Sequence, residues 1–374
     1  MSVTFSIKKS VCHVTSAHYR KDVRIFYKEC KSLSDFGYKV TLIVNDNDPD
    51  EICEGVEIVS TKHKPKNRYE RMVISRRKIK KLILKVNADV YHFHDPELLP
   101  IASWAKKQNK KVIFDFHEDL SQQILFKLWI PKIFRRLMSI SYKQYEKSVV
   151  KKFDALITVT PKFIERLKKS NSNTFLITNY PIVREISNSN LPIRKSAICF
   201  AGGVTQQWNH ENIIKAIEDI EDVEYILVGS GDEDYINKLR NLKGWNKVKY
   251  LGRLKHEEVR NIYNKSLIGM SLLSYNTQVG KDGTLGNTKI FEFMESGLPV
   301  ICSNNILWKN IVRKFNCGID VDPNNISEIR EAIIFLLKNE NKRIRYGKNA
   351  RRAIITTYNW EIQEKELIKI YSRF

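Results

Sequence analysis

Short apolar runs alternate with longer amphipathic stretches along this chain, and they do so twice. The first series of runs falls at 10–16, 38–44, 56–60, 89–94, 111–116, 154–159 and 174–178. Polar or turn residues follow each run, and stretches of helical pattern about ten residues or longer lie between most of them. That order predicts strand, crossover helix and parallel strand, repeated. From 178 to 194 the chain reads T-N-Y-P-I-V-R-E-I-S-N-S-N-L-P-I-R, with two prolines among Asn and Ser, the composition of a linker. The alternation then resumes, with runs at 196–201, 223–228, 247–251, 267–271, 298–302 and 318–321. Helices fit at 211–218, 232–240, 256–264 and 327–337. Two long polar helices, 342–357 and 360–372, close the chain with a break at Tyr358-Asn359. With 374 residues the chain is too long for one core. The expectation is an α/β protein of two doubly wound domains, 1–185 and 186–358.

In such sheets ligands lie beyond the C-terminal ends of the strands. In the first half those positions hold Ser16-Ala17-His18, Asn45-Asp46, His94-Asp95, His117-Glu118-Asp119 and Thr160. In the second they hold Gly202-Gly203, Gly229-Ser230-Gly231, Gly252-Arg253 and Ser274-Tyr275. The first set handles protons and hydroxyls. The second lets backbone N–H groups approach a phosphate. The second half is therefore expected to bind a nucleotide or diphosphate, and the first to present the other reactant. A tight βα turn explains any one of these glycines equally well.

Residues 287–300, N-T-K-I-F-E-F-M-E-S-G-L-P-V, predict a helix of about two turns and then a buried strand. Asn287 or Thr288 is placed to cap the helix, and Gly297 with Pro299 to end it. Ile290, Phe291 and Met294 form one apolar face. Lys289 and Glu292, three apart, share another. Such a pair can hold a phosphate and a sugar hydroxyl, or be a surface ion pair.

Composition removes several classes. The chain is 42% hydrophobic and 28% charged, which suits a packed protein rather than a disordered one. Its six cysteines form no C-x-x-C pair and have no histidine at metal-ligand spacing, so a reducing cytoplasm is expected. The first residues lack the apolar core of a signal peptide. No run approaches the roughly 18 apolar residues of a spanning helix. The net charge of +22 should draw the chain to polyanions: nucleic acid, anionic lipid or phosphorylated substrates. Lys62 to Lys85 alone holds eleven Lys or Arg and one Glu, with Met72, Ile79, Leu82, Ile83 and Val86 on one helical face. Residues 126–153 add Trp129, Ile130, Ile133, Phe134 and Leu137 beside Lys127, Lys132, Arg135 and Arg136. Basic amphipathic helices of this kind dock on anionic membrane, or bury the apolar face as core. They also fit a nucleic-acid-binding protein, but no aromatic-rich basic reader motif accompanies them.

Ala201-Gly202-Gly203, Leu227-Val228-Gly229-Ser230-Gly231, Leu251-Gly252-Arg253 and the 287–301 block resemble the donor-binding half of GT-B glycosyltransferases, specifically retaining glycosyltransferase family 4. In the first half, H-V-T-S-A-H-Y-R-K-D-V-R-I-F-Y-K-E-C, D-V-Y-H-F-H-D-P-E-L-L-P and V-I-F-D-F-H-E-D resemble bacterial enzymes of capsule and O-antigen assembly. The resemblance spans nearly the whole chain. It implies the GT-B fold: two Rossmann-like domains with an interdomain cleft, the helix at 360–374 packing back on the first. It implies a nucleotide-sugar donor, UDP-linked in preference to GDP-linked, held by Gly202, Gly203, Asn287, Thr288, Lys289 and Glu292; the Arg and Lys that many relatives carry after the first glycines are absent from V-T-Q-Q-W-N-H-E-N here, and Lys281, Lys289 or Arg253 is expected to replace that charge. Glu292 matches the second carboxylate of the family's Glu-x7-Glu motif, which binds the ribose. The first would fall on Thr284, where this chain departs from the pattern. His117 matches the histidine set against the donor sugar. His18, Arg20, His94 and Asp95 lie on the acceptor side, with Arg24 a further cation there or a salt-bridge partner. The acceptor implied is a glycan or lipid-linked glycan. The reaction implied retains the anomeric configuration, the leaving diphosphate taking the acceptor proton, with no cofactor and no metal. The resulting expectation is a cytoplasmic hexosyltransferase, peripheral on the inner face of the cell membrane, with no nucleic-acid partner. A nucleic-acid-binding protein and a GT-B-fold sugar-nucleotide epimerase are the alternatives.

Overall fold

The computed structural model describes residues 9–127, 130–185, 196–275 and 280–374. The chain divides into two compact units, Met1–Asn179 with Glu361–Phe374, and Tyr180–Trp360.

The first unit carries β1 (Ser10–Val14), β2 (Lys39–Val44), β3 (Glu51–Cys53), β4 (Val56–Ser60), β5 (Val90–Phe93), β6 (Lys111–Phe116), β7 (Ala155–Thr158) and β8 (Thr174–Leu176). They form one eight-stranded sheet in the order β3-β4-β2-β1-β5-β6-β7-β8. Every pairing among the described residues is parallel except β3 with β4. Strand order reverses at β1, which lies between β2 and β5. The strands are apolar on both faces, as a sheet covered by helices on both sides requires. Val11, Val14, Leu42, Ile43, Phe93, Phe114 and Leu156 are buried. The helix Trp360–Tyr371 ends the chain, and all but its first residue belong to this unit. Gln363 accepts the amide of Thr178 at 2.8 Å.

The second unit carries β9 (Ala197–Ala201), β10 (Glu224–Val228), β11 (Val248–Tyr250), β12 (Ile268–Ser271), β13 (Val300–Ser303) and β14 (Gly318–Val321). Their order is β11-β10-β9-β12-β13-β14, a six-stranded sheet that reverses at β9. Both sheets therefore have a switch point at their first strand, and the strand-end residues gather there.

Two elements were not anticipated from the sequence. After β2 the chain passes through 45–50 into β3, which forms a hairpin with β4. Cys53 pairs with Val56 across a two-residue loop. Glu54 and Gly55 have φ of 49° and 78°, as a type I′ turn needs. A three-residue strand with Ile52 80% exposed has no alternation to betray it. The second is the helix Ile306–Phe315, started by Asn305, whose side chain accepts the Trp308 amide at 3.0 Å. Its Trp308 is fully buried, stacked 6.4 Å from Trp208.

The predicted linker is described only to Glu185; its remainder, 186–194, lies outside the described residues.

Candidate functional site

At the end of β9 the backbone turns at Gly202 with almost no room beside it. A Cβ built on Gly229 would stand 1.7 Å from the Gly202 carbonyl oxygen, and one on Gly231 would stand 2.1 Å from that of Val204. Gly229 also donates its amide to the Gly252 carbonyl at 2.7 Å. Gly229 and Gly231 are therefore required by loop-on-loop packing, whatever else they do. Gly203 differs: the nearest atom to its Cβ position is 3.8 Å away, so its open side is accessible to a ligand. On Gly202, a Cβ would meet Cε of Lys289 at 2.9 Å, which puts that lysine directly over the β9 loop.

Lys289 opens the helix Lys289–Glu295. Ile290, Phe291 and Met294 are fully buried, as their spacing predicted. The capping differs in detail. Asn287 Oδ1 accepts the Lys289 amide at 3.2 Å, while the Thr288 hydroxyl donates to Glu292 Oε1 at 2.6 Å. Tyr263 donates its hydroxyl to Glu292 Oε2 at 3.1 Å, and Lys289 Nζ stands 3.4 Å from the same oxygen. Burial alone would push the Glu292 carboxyl up, but Lys289 and the two hydroxyls hold it below its ordinary value. Glu292 is thus an anion held by three groups and one quarter exposed along its side chain. Tyr263, nearly buried and bonded to that carboxylate, was not singled out from sequence; a lone aromatic in a helix gives no signal.

The loop before this helix contains Thr284, at the position where the family pattern calls for a carboxylate. The Thr284 hydroxyl accepts the Gly286 amide at 3.0 Å, and its carbonyl takes the Trp308 indole N–H at 2.9 Å. Thr284 shapes the loop. Lys281 is exposed, its ammonium 5.7 Å from the Tyr275 ring centre, and Arg253 is exposed after Gly252.

The first unit is polar at the equivalent strand ends. Asp95 organises the loop after β1: its Oδ2 accepts from the Thr15 hydroxyl at 2.7 Å, the Ser16 amide at 2.6 Å and the Ala17 amide at 3.2 Å. His18 in that loop lies 3.3 Å from Asp22 and 3.6 Å from the other Asp95 oxygen. Asp22 also starts the helix Val23–Cys30 by accepting the amides of Arg24 and Ile25. Its carboxyl is drawn down to about 2 against the effect of burial, by His18 and those amides. Arg20 is committed to its own neighbours, with Asp46 at 2.9 and 2.8 Å and Glu51 at 2.9 Å.

Arg24, His94 and His117 converge on Asp115, a fully buried residue of β6 that sequence reasoning passed over. Arg24 Nε donates to Asp115 Oδ2 at 2.8 Å, His117 Nε2 is 3.2 Å from that oxygen and His94 Nδ1 is 3.6 Å from it. The signal was present: Asp115 and His117 are two apart at a strand end and so point to one side. Arg24 is therefore a salt-bridge partner. His94 is fully buried, and burial draws its pKa down to about 4 against the pull of Asp115.

The His18 environment has a consequence in pH. Burial would lower its pKa, but the Asp22 hydrogen bond and the Asp95 and Asp22 charges raise it above the ordinary 6.5. A raised histidine contributes stability that is complete below about pH 6.5 and is lost as pH rises through its folded value. The His18→Gln variant is expected to melt lower than the parent near pH 5.5, with the gap closing by about pH 8.5. Melting curves across that range check this; a gap that does not change with pH would sink it.

Two wound α/β sheets, each with a switch point at its first strand, match the GT-B architecture. Residues 183–353 match the family model described as glycosyl transferases group 1, and residues 23–178 that described as glycosyltransferase family 4. The chain thus matches a glycosyltransferase model in each of its two units. It is 30% identical over 187 residues to the uncharacterized glycosyltransferase MJ1069 of Methanocaldococcus jannaschii, covering 48% of this chain and 45% of that protein. The chain thus spans about half the length of that curated relative. Its fold is that of sucrose-phosphate synthase from Thermosynechococcus elongatus, with a TM-score of 0.77 at 17% identity over 98% of this chain and 99% of the other. Anabaena HepE, solved with UDP and glucose, matches with a TM-score of 0.73 at 12% identity over 98% and 100%.

Proposed function

We propose that this protein is a retaining glycosyltransferase that moves a sugar from a UDP-linked donor to a hydroxyl of a lipid-linked cell-surface glycan. The observation that carries the reading is the Glu292–Lys289 pair placed over the β9 glycine loop, in the half matched by the group 1 model. A carboxylate held anionic accepts hydrogen bonds from the two ribose hydroxyls. Lys289, already beside Gly202, supplies charge to the diphosphate, and the open side of Gly203 lets its backbone approach. Glucose and UDP in HepE agree with a UDP-sugar, although that likeness rests on fold. In the first unit His117, oriented by Asp115, is assigned to the donor sugar. His18 and the Asp95 loop are assigned to the acceptor. The reaction then relies on positioning and charge stabilisation, with the leaving diphosphate accepting the acceptor proton.

The lipid-linked acceptor rests on a second surface. In the helix Lys132–Val150, Ile133 is 79%, Phe134 54% and Leu137 62% exposed, with Lys132 and Arg136 on the same helix. Arg68 lies close enough to Lys127 to help lower its pKa, after burial, so a second basic segment lies alongside. This is the make-up of an interfacial helix. The 62–85 segment is different: Ile79 and Ile83 are core, with Leu82 and Val86 packed on it. Only Met72 of the apolar residues expected there is exposed. Trp129 lies outside the described residues. No helix among the described residues is long and apolar enough to cross a membrane.

A thermal-shift series with UDP, GDP and ADP at millimolar concentration tests the donor half. UDP at a hundred times its Kd should stabilise the protein by about 2.7 kcal/mol. No shift with any of the three overturns the reading, and affinity for DNA with indifference to UDP would favour a nucleic-acid binder. Transfer to a lipid-diphosphate glycan, with the anomer of the product read by NMR, then tests acceptor and retention.

A further inference from the structure

Beneath the strand ends of the first unit, four side chains without solvent exposure surround one point. They are His13 on β1, His92 at β5, His94 just beyond it, and Glu29 on the helix Val23–Cys30. The sheet makes the grouping. His13 is abreast of His92 in the β1–β5 register, and the period of a strand brings His94 to the same face. Glu29 closes the set from the covering helix.

The distances select what fits there. Glu29 Oε2 lies 3.9 Å from His13 Nδ1, 3.9 Å from His92 Nδ1 and 3.8 Å from His94 Nε2. These are too long for hydrogen bonds, and neither Glu29 oxygen accepts one. Ligands about 2.0–2.1 Å from a tetrahedral zinc stand about 3.4 Å from one another. The three long edges exceed that by about half an ångström. The His13 Nδ1–His94 Nε2 edge, 2.9 Å, falls short by the same amount. Small opposed shifts of the rings and of Glu29 regularise the set. Three imidazoles and one carboxylate suit zinc and its first-row neighbours, and suit magnesium or calcium poorly. The outer groups are also present. His94 Nδ1 faces Asp115 Oδ2 at 3.6 Å, the carboxylate–histidine arrangement that orients a metal ligand, and Tyr371 Oη lies 3.2 Å from His13 Nε2. Tyr371 Oη is also 2.8 Å from His92 Nδ1, a bond it gives up when that nitrogen takes the ion.

We propose that His13, Glu29, His92 and His94 bind a divalent first-row transition ion of the zinc type. The site reverses the sequence expectation of a chain without metal. Its role is structural: it ties β1, β5 and the covering helix together and fixes the ring of His94, hence the carboxylate of Asp115 next to His117. It does not depend on the donor or acceptor assigned above. Without an ion the same groups form a hydrogen-bonded chain from His94 through His13 and Tyr371 to His92, and this is the alternative the experiment separates.

The test uses tag-free full-length protein from zinc-supplemented cells, gel-filtered and analysed by plasma mass spectrometry. About one equivalent of metal per chain is expected. Stripping with dipicolinate should lower Tm by about 5 °C or more, and zinc should restore it. Cobalt loaded in place of zinc should show the intense visible absorption of a tetrahedral site. Glu29→Gln and His92→Asn should each retain less than about a tenth of an equivalent, while His63→Gln, outside the cluster and beside Glu70, retains all of it. Metal below about a tenth of an equivalent in the parent protein, with a Tm indifferent to chelator and zinc, overturns the proposal in favour of the hydrogen-bonded chain. So does a full equivalent retained by both site variants. If those variants fail to fold, stripping and cobalt loading of the parent protein decide alone.

Discussion

Asp115→Ala is expected to destabilise the protein by about 3–5 kcal/mol, because it leaves a buried guanidinium without its principal counter-charge. Asp115 is fully buried, and Arg24 reaches it at 2.8 Å through both Nε and a terminal nitrogen. Burial alone would raise the Asp115 carboxyl, but the Arg24 and His117 charges hold it well below the usual range. It is therefore an anion wherever the protein is folded at moderate pH. Removing it leaves Arg24 with Glu29, 3.1 Å away and equally buried. Asp115→Asn keeps the shape and loses the charge, so it should fall between parent and alanine variant and separate the two effects. Equilibrium unfolding in urea at fixed slope measures both. A loss below about 1 kcal/mol for the alanine variant would mean that the network is not a stabilising unit.

The second large effect is on ligand affinity. Glu292→Gln should weaken UDP binding about 10–100-fold, since a charge-assisted hydrogen bond contributes about 1.5–3 kcal/mol. The amide keeps the volume and one acceptor, so Tyr263 retains a partner and Tm should change little. Tyr263→Phe acts through Glu292 and should cost less, about threefold, by loosening one of its three holders. Calorimetric titration with UDP, beside melting curves without it, distinguishes the roles. An unchanged Kd with a lower Tm would return Glu292 to a plain ion pair on a helix.

Much of the framework was legible because parallel strands buried on both faces leave continuous apolar runs, and crossover helices leave amphipathic ones. Each run read as a strand overlaps one. The strand-end positions followed, since topology alone places them. What escaped was either too short or too scattered. β3 is three residues long, with its middle residue in solvent. The helix Ile306–Phe315 had a signal in Asn305 that was not used. The apolar positions of 62–85 were correct as a helical face, but periodicity cannot tell a face on core from one on lipid. Burial decided that Ile79 and Ile83 are core, and left the Ile133–Leu137 ridge open.

The amino-acid sequence by itself determined two wound α/β units, glycine loops in the second and proton-handling side chains in the first. These properties follow from local pattern, and local pattern is what a chain carries before it folds. Only the tertiary structure decided which polar groups meet. Nothing in sequence separation joins His13, Glu29, His92, Asp115 and Tyr371. The order of β1, β5 and β6 in the sheet, with the helices Val23–Cys30 and Trp360–Tyr371 packed against them, brings these groups within reach. It also showed that Gly229 is demanded by the carbonyl of Gly202, while Gly203 has open space beside it. Contacts of that kind depend on strand order and crossover packing, which are set by the burial of the whole chain rather than by any segment of it.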